Sequence, residues 1–192
     1  TGDTVYLAVV DRDGNAVSLI HSLYNAFGSG VIAGDTGVLL QNRGAYFTLA
    51  HGHPNALAPG KIPVHTLIAS MGKRNDRLWS VLGCMGADGQ PQIQLQAYVA
   101  LMDFGCDIQQ ALEAPRWLSG RFAIGEPRDL LHVEDRIPAA TLAELEKRGH
   151  RLRALGPWSE RAGHAHGILI DARSGLRHGG ADPRSDGAAA GY

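Results

Sequence analysis

Residues 4–22 read TVYLAVVDRDGNAVSLIHS and contain the first two predicted strands. Thr4 to Asp11 is β-branched and apolar, Asp13-Gly14 is a turn signal, and Asn15 to Ser22 is a second strand-like run. The pattern predicts a β-hairpin that holds the start of the chain firmly. Thr1 stands just before this hairpin. A trimmed sequence, removal of a leader or internal cleavage of a longer precursor would each account for a threonine there.

A threonine with a free amine carries both a nucleophile and a base. The hydroxyl attacks, and an α-amine with a pKa of about 7.7–8 is partly neutral at physiological pH. N-terminal threonines are activated in this way in several hydrolases. Cleavage before Thr1 would therefore create a catalytic group.

The composition of the chain excludes several classes of protein. Hydrophobic residues make up 44% of the 192 residues and charged residues 19%, which excludes global disorder. A formal net charge of -1 argues against binding of nucleic acid or anionic membranes through bulk charge. No apolar run is long enough to predict a transmembrane helix. Two cysteines exclude a disulfide framework. The length predicts a single domain over residues 1–192.

Further elements follow along the chain. Apolar runs predict strands at 38–40, 64–71, 78–82, 131–134 and 166–171, and helices at 93–104, 107–113 and 139–148. Residues 179–192 are expected to form a glycine- and alanine-rich tail. Paired strands, central helices and late strands predict an α+β layered domain.

With these pieces in order, the chain resembles the small subunit of the γ-glutamyltransferase family. These are N-terminal-nucleophile hydrolases, made as one precursor that cleaves itself just before a threonine. The resemblance runs nearly the whole length and rests on Thr1 together with the segments 9–17 (VVDRDGNAV), 27–30 (FGSG), 37–42 (GVLLQN), 83–86 (GCMG), 114–116 (APR), 182–184 (DPR) and 190–192 (AGY).

The resemblance implies an αββα sandwich shared with a large subunit from the same precursor, and favours internal cleavage as the origin of Thr1. It assigns Thr1 as the nucleophile and Ser22 as the hydroxyl that hydrogen-bonds it. The backbone N–H groups of Gly86 and Ala87 would stabilise the oxyanion. The family has glycine where Ala87 stands, a mild departure because alanine still supplies an N–H.

The expected substrate pocket departs from the γ-glutamyl pattern. Tyr46 stands where the family has an aspartate for the substrate ammonium, and Arg43 replaces a neutral amide three residues earlier. The family's two carboxylate-binding serines correspond to His65-Thr66, and an asparagine to Tyr24. A guanidinium with tyrosine hydroxyls suits a carboxylate rather than an ammonium.

The sequence therefore predicts a small amide that carries a carboxylate and no α-amine, such as oxamate, a substrate known in this family. Asp88 would orient the glycine loop or the Thr1 amine. Alternatively, Arg43 and Tyr46 are surface or packing residues. The loop from Phe47 to Pro63 is shorter than in several family members, which favours an open site and hydrolysis over transfer to an acceptor amine.

Other functions stay open. The chain could belong to an ordinary γ-glutamyltransferase or glutathione hydrolase, to a cephalosporin acylase-like amidase, or to an inactive subunit kept for binding. No metal or cofactor is expected, because nothing completes the pair His51 and His53, and Cys84 is interpreted as a buried structural thiol. The expected partners are the large subunit and a small-molecule amide, without nucleic acid or membrane. A dimer of heterodimers is left open, and a cytoplasmic location is slightly favoured over a periplasmic one.

Overall fold

The computed structural model describes residues 2–122 and 126–192. Their strands form a two-stranded, a four-stranded and a three-stranded sheet. The two-stranded sheet stacks on one face of the four-stranded sheet, and two helices cover the opposite face. This layering of strands and helices confirms the predicted α+β class.

The two-stranded sheet is the predicted hairpin. Strand β1 (Gly2–Val10) pairs antiparallel with β2 (Ala16–Asn25). The Asp11 carboxylate closes the turn, accepting the backbone N–H groups of Asp13 and Asn15 at 2.9 and 2.8 Å. The short polar turn therefore fixes the register of the two strands.

The four-stranded sheet is antiparallel throughout. Its order is β3, β4, β8 and β9, with bounds Ala69–Arg74, Arg77–Met85, His164–Ile170 and Arg177–Ala181. The first three correspond to the predicted strands at 64–71, 78–82 and 166–171, with shifted ends.

One aromatic residue sets how closely the two sheets stack. Tyr6 of β1 lies against Gly83 of β4, and a Cβ at position 83 would lie 2.3 Å from the Tyr6 ring. Glycine is therefore required at position 83. The Tyr6 hydroxyl is 2.7 Å from Ser18 Oγ, which in turn donates to the Ser70 carbonyl of β3 at 3.2 Å. Burial raises the pKa of Tyr6 to about 12.

Helices α1 (Gln90–Met102) and α2 (Ile108–Glu113) form the layer on the other face. Helix α1 begins three residues before its predicted start. Asp107 and Gln110 make a reciprocal capping box at the start of α2. The core between helices and sheet is apolar and includes Leu82, Cys84, Ile93, Ala97, Leu112 and Ala165.

A smaller sheet completes the described structure. Strands β5 (Trp117–Ser119) and β6 (Leu130–Val133) are antiparallel, and β7 (Arg151–Ala154) runs parallel to β6. Helix α3 (Ala139–Lys147) connects β6 to β7, close to its predicted position at 139–148.

Some predicted elements differ from the structure. The predicted strand at 38–40 is only an isolated bridge between Ile32 and Leu39. The predicted tail at 179–192 begins inside β9. A Cβ at Gly180 would lie 2.9 Å from Ile108, so α2 packs directly on this glycine and its strand. Tertiary packing thus overrides a sequence typical of a loop.

Within the described ranges, no helix is long and apolar enough to cross a lipid bilayer.

Candidate active site

The Ser22 hydroxyl near the end of β2 is surrounded by polar groups. Its Oγ lies 2.7 Å from Thr4 Oγ1. It also accepts the backbone N–H of Tyr24 at 3.0 Å and Arg43 Nη2 at 2.9 Å. The predicted nucleophile Thr1 lies outside the described residues, and the threonine that contacts Ser22 is Thr4.

Arg43 is buried beside Ser22. A single turn of 3-10 helix, Arg43–Tyr46, follows Asn42, and residues three apart lie on one side of such a helix. The Arg43 side chain is 5% exposed, and its Nη1 donates to Thr66 Oγ1 at 3.2 Å. Its guanidinium carbon is 5.0 Å from the centre of the Tyr24 ring.

These contacts of Arg43 are all with neutral groups. Among the described residues no carboxylate forms an ion pair with Arg43, and its buried Nε has no hydrogen-bond partner. Burying a charge without a counter-charge or full hydrogen bonding is costly. The Arg43 guanidinium is therefore suited to bind an anion.

Two tyrosines connect Ser22 to the glycine loop. The Tyr46 hydroxyl lies 3.0 Å from the Tyr24 hydroxyl and donates to Asp88 Oδ1 at 3.2 Å. Burial, the hydrogen bond with Tyr24 and the charge of Asp88 raise the pKa of Tyr46, so this phenol stays protonated. Tyr24 has a φ of 74°, a left-handed conformation that aromatic residues rarely adopt.

The predicted pair His65-Thr66 divides in the structure. Thr66 joins the group through Arg43. His65 is exposed, and the bond found for its side chain is local, from the Leu67 N–H to Nδ1 at 3.2 Å. The structure therefore brings together Ser22, Tyr24, Arg43, Tyr46, Thr66 and Asp88, but does not connect His65 to them.

The glycine loop is a tight turn after β4. A 3-10 turn follows over Ala87–Gly89, and the Gly86 carbonyl accepts the Gly89 N–H at 2.8 Å. Ala87 has a φ of 46°, a region that glycine enters more easily. Throughout residues 2–122 and 126–192, no acceptor is found for the N–H groups of Gly86 and Ala87. Two adjacent free N–H groups can bind an oxyanion.

A buried ion cluster behind this turn was not predicted from the sequence. Arg116, Glu134, Asp182 and Arg184 are each at most 4% exposed. Arg116 Nη2 is 2.5 Å from Asp182 Oδ2, and Arg184 Nη1 is 3.0 Å from Asp182 Oδ1. Arg184 Nε donates to Glu134 Oε1 at 2.7 Å. Burial raises the pKa of Asp182, but the charges of Arg116 and Arg184 outweigh it, so this pKa lies below its usual range.

The cluster supports the glycine loop through Gly163. Arg116 Nη1 donates to the Gly163 carbonyl at 2.9 Å. A Cβ at Gly163 would lie 2.4 Å from the Met85 carbonyl oxygen and 3.4 Å from the Gly86 Cα. Arg116 and Arg184 each follow a proline, but so does Arg128, and the sequence therefore gives no specific signal for this cluster.

Other sequence candidates stay outside the site. Cys84 is fully buried, and burial raises its pKa to about 12, which makes it a poor nucleophile. His51 and His53 lie in an exposed loop. In the part of the chain that the structure describes, no three His, Cys, Asp or Glu side chains are grouped so that they could hold a metal ion.

Comparison with known proteins identifies a matching family and several similar proteins. Residues 1–192 match the family model described as Gamma-glutamyltranspeptidase. The chain is 47% identical over 191 residues to the oxamate amidohydrolase proenzyme of Klebsiella pneumoniae, and 46% identical over 189 residues to the glutathione hydrolase-like YwrD proenzyme of Bacillus subtilis. These matches cover 100% and 98% of the chain but only 36% of each relative.

A solved structure agrees with these matches. Cephalosporin acylase from Bacillus halodurans is similar with a TM-score of 0.87 at 38% identity, over 97% of this chain and 34% of that one. Family match, sequence identity and fold all point the same way, and the chain belongs to the gamma-glutamyltranspeptidase family.

Proposed function

We propose that this chain is the nucleophile-bearing subunit of an amide hydrolase that is made as a precursor. Two relatives are named proenzymes, and the chain spans 36% of their length. The remaining length supplies the proposed partner, a large subunit from the same precursor. That subunit would complete the αββα sandwich, of which this chain holds three layers.

The proposed reaction passes through an acyl-enzyme. A threonine hydroxyl attacks the amide carbonyl, and the amine of the same residue takes the hydroxyl proton. The sequence predicts Thr1 for this role, and the contact of Thr4 Oγ1 with Ser22 Oγ at 2.7 Å makes Thr4 a second candidate. The N–H groups of Gly86 and Ala87 bind the oxyanion. The amine leaves with a proton, and water then hydrolyses the ester. Ser22 holds the attacking hydroxyl in place.

The proposed substrate is a small amide with a carboxylate and no α-amine, such as oxamate. The observation that carries this proposal is the buried Arg43 guanidinium, for which the described residues supply no counter-charge. A substrate carboxylate would complete its hydrogen bonds. Tyr24 and Tyr46 occupy space beside it, which favours a short acyl group. The 47% identity to an oxamate amidohydrolase proenzyme supports the same substrate.

Two other activities have support of their own. The similarity to a glutathione hydrolase-like proenzyme keeps γ-glutamyl amides as a candidate, and the structural similarity to a cephalosporin acylase keeps larger acyl amides. A γ-glutamyl amide has a carboxylate that Arg43 could bind, and its α-amine would then need a partner. An acyl amide without a carboxylate would need a different role for Arg43, as a packing residue or as the partner of a carboxylate on the large subunit.

A two-substrate assay on the processed two-chain enzyme tests these proposals. One arm measures ammonia release from oxamate, and the other measures amine release from a γ-glutamyl anilide. Precursors carrying Thr1→Ala and Thr4→Ala are run beside the wild type. Turnover of oxamate alone supports a substrate with a carboxylate and no α-amine, whereas turnover of the anilide alone contradicts it, because a γ-glutamyl group carries both. If the correctly processed enzyme turns over neither compound, its substrate is a different acyl amide.

The loop at 47–63 supports hydrolysis rather than transfer. Most of its residues are exposed, and Lys61 Nζ ties it to its own backbone by donating to the Ala56 carbonyl at 3.1 Å. Water would reach an acyl-enzyme at such a site. Adding an acceptor dipeptide to the assay should then leave the rate of ammonia release unchanged, and a marked acceleration would contradict this part of the proposal.

A further inference from the structure

The turn that carries the two free N–H groups contains a strained residue. Ala87 has a φ of 46°, in the left-handed region that a residue with a Cβ enters only at a cost. Such a conformation persists where surrounding contacts hold it. Inside the turn, the Gly89 N–H donates to the Gly86 carbonyl at 2.8 Å. Because this is a single bond, the position of the two N–H groups also depends on contacts from outside the turn.

Asp88 lies in the middle of this turn and is held from outside it. The Tyr46 hydroxyl donates to Asp88 Oδ1 at 3.2 Å, although the two residues are 42 positions apart in the sequence. Across the residues that the structure describes, this is the one hydrogen bond found for the Asp88 side chain. Its neighbours Ala87 and Gly89 have no polar side chain. Tyr46 therefore supplies a polar support of the turn, in addition to the packing of Gly163.

The chemistry of the two groups fixes the direction of this hydrogen bond. A phenol has one hydrogen, and an ionised carboxylate can only accept. The Tyr46 hydrogen therefore goes to Asp88 rather than to the Tyr24 hydroxyl, which lies 3.0 Å away. Burial raises the pKa of Tyr46, so the phenol keeps this hydrogen at neutral pH. A charged acceptor also makes the bond stronger than one between neutral groups.

Tyr46 is itself fixed by its surroundings. Its carbonyl accepts from Asn55 Nδ2 at 2.6 Å. Arg43 begins the same 3-10 turn, and its guanidinium donates to Ser22 Oγ at 2.9 Å. One end of this turn therefore lies at the proposed carboxylate site, and the other end contacts the glycine loop.

We propose that Tyr46 is a positioning residue for the oxyanion donors: through Asp88 it holds the strained turn at 87–89 and connects that turn to the Arg43 site. The inference rests on the proposed amide hydrolysis, in which the two adjacent N–H groups bind the oxyanion. Tyr46 acts through Asp88 and makes no contact with the reacting atoms. Loss of its hydroxyl therefore weakens binding of the transition state more than binding of the substrate.

Hydrogen–deuterium exchange on the processed two-chain enzyme tests this support without any substrate. The Gly89 N–H is the reporter, because it is hydrogen-bonded inside the turn. Tyr46→Phe keeps the ring and should speed exchange at Gly89 by about 3- to 10-fold, as expected for the loss of one hydrogen bond. Asp88→Ala, at an exposed position, should have the same effect. Unchanged exchange at Gly89 in both folded variants overturns the inference.

Initial rates of ammonia release from oxamate test the consequence for catalysis. Tyr46→Phe should lower kcat by about 3- to 10-fold and leave KM near the wild-type value. Asp88→Ala should lower kcat by the same factor, and the double variant by no more, because both changes remove one interaction. Asp13→Ala, at an exposed position in the hairpin turn, is the matched control and should leave kcat unchanged. Additive losses, or a loss confined to KM, would mean that Tyr46 acts on the substrate itself and would overturn the inference.

The strain at Ala87 provides a second test. Glycine enters a φ of 46° without the penalty of a Cβ, so a turn with glycine needs less support. In an Ala87→Gly background, Tyr46→Phe should therefore lower kcat by about twofold or less. If the loss is as large as in the wild-type background, the turn does not depend on the hydroxyl of Tyr46 and the inference is wrong.

This inference and the proposed function can fail separately. A wild-type enzyme that hydrolyses no amide would reject the proposed function, and exchange at Gly89 would still decide the role of Tyr46. Turnover of oxamate, with exchange at Gly89 unchanged in both variants, would keep the function and reject Tyr46 as a positioning residue.

Discussion

The Arg43 guanidinium has no counter-charge among the described residues, and this determines what its removal should do. If Arg43 binds the substrate carboxylate, Arg43→Ala should lower kcat/KM for oxamate. The expected loss of transition-state stabilisation is roughly 2–4 kcal/mol, a typical cost of truncating one side of a shielded charge pair. That corresponds to about 30- to 1,000-fold. Most of the effect should appear in KM, measured by initial rates of ammonia release.

Two controls separate binding from packing. Arg43→Lys keeps the charge but loses the paired donors, and should recover part of the affinity. Arg77→Ala removes an exposed arginine at the start of β4 and should change neither KM nor kcat. Equal losses for oxamate and for an uncharged amide would show that Arg43 only supports Ser22.

At the level of single residues, the sequence predicted several residues of the candidate site but not which of them contact one another. Arg43 and Tyr46 stood out because they depart from the γ-glutamyl pattern, and Asp88 stood out because it lies in the glycine loop. Thr4 did not, because one threonine in a β-branched run is an ordinary strand residue. Its position opposite Ser22 depends on the shift in hairpin register between Asp3 and Thr4, and no pattern in the sequence predicts this shift.

Among the elements, the turn at Gly163 should control the glycine loop. Gly163 has a φ of 70°, and a Cβ there would lie 2.4 Å from the Met85 carbonyl oxygen and 2.5 Å from Ile93 Cδ1. We expect Gly163→Ala to lower kcat by displacing the N–H groups of Gly86 and Ala87, with a smaller effect on KM.

The control for this prediction has the same backbone penalty without the contact. Gly175 has a φ of 74°, and a Cβ added there would meet no other atom within 4 Å among the described residues. Gly175→Ala should therefore reduce thermal stability while kcat stays at the wild-type value. Equal kcat in both variants would mean that the loop does not depend on Gly163.

The buried ion cluster should make stability depend on pH. The pKa of Asp182 and that of Glu134 are both lowered in the folded protein: burial raises each, and nearby arginines outweigh it. A lowered carboxyl pKa contributes stability above the unfolded value, about 4 for these groups. The contribution is lost as pH falls through the folded pKa.

We therefore expect Asp182→Asn to destabilise the processed enzyme by about 3–5 kcal/mol at pH 7, because it leaves Arg116 and Arg184 less than fully paired. The difference from the wild type should shrink below pH 4, as thermal melts across this range would show. Asp129→Asn, which removes an exposed pair with Arg151, should leave the melting temperature nearly unchanged. A constant difference at all pH values would contradict the linkage.

Elements with strong local patterns were predicted well, and short polar strands were not. The hairpin, α3 and the strand pair of β3 and β4 follow from their apolar spacing and turn residues. Strands β7 (RLRA) and β9 (RHGGA) carry charges and glycines instead. They form because β7 pairs with the edge of β6 and β9 with the edge of β8. This pairing depends on tertiary structure rather than on the local sequence.

At the scale of the whole molecule, the outer face of the hairpin is incomplete. On the side away from the four-stranded sheet, five apolar side chains are 46–59% exposed: Val5, Leu7, Val9, Val17 and Leu19. Leu7 is paired with Leu19 and Val9 with Val17 across the two strands, so they form one continuous surface. Monomeric proteins rarely leave such a surface open to water. It fits the proposed large subunit, which would cover it.

Charges placed on this outer face should therefore block assembly. We expect the double variant Leu7→Asp with Leu19→Asp to give a precursor that fails to form a stable two-chain enzyme, because a carboxylate pair would be buried without a partner. Leu176→Asp places the same charge on a residue that is 61% exposed between β8 and β9, and should assemble normally. Size-exclusion chromatography with intact mass distinguishes the two. Normal assembly of the double variant would show that the large subunit binds elsewhere, and that the missing layer of the sandwich does not rest on the hairpin.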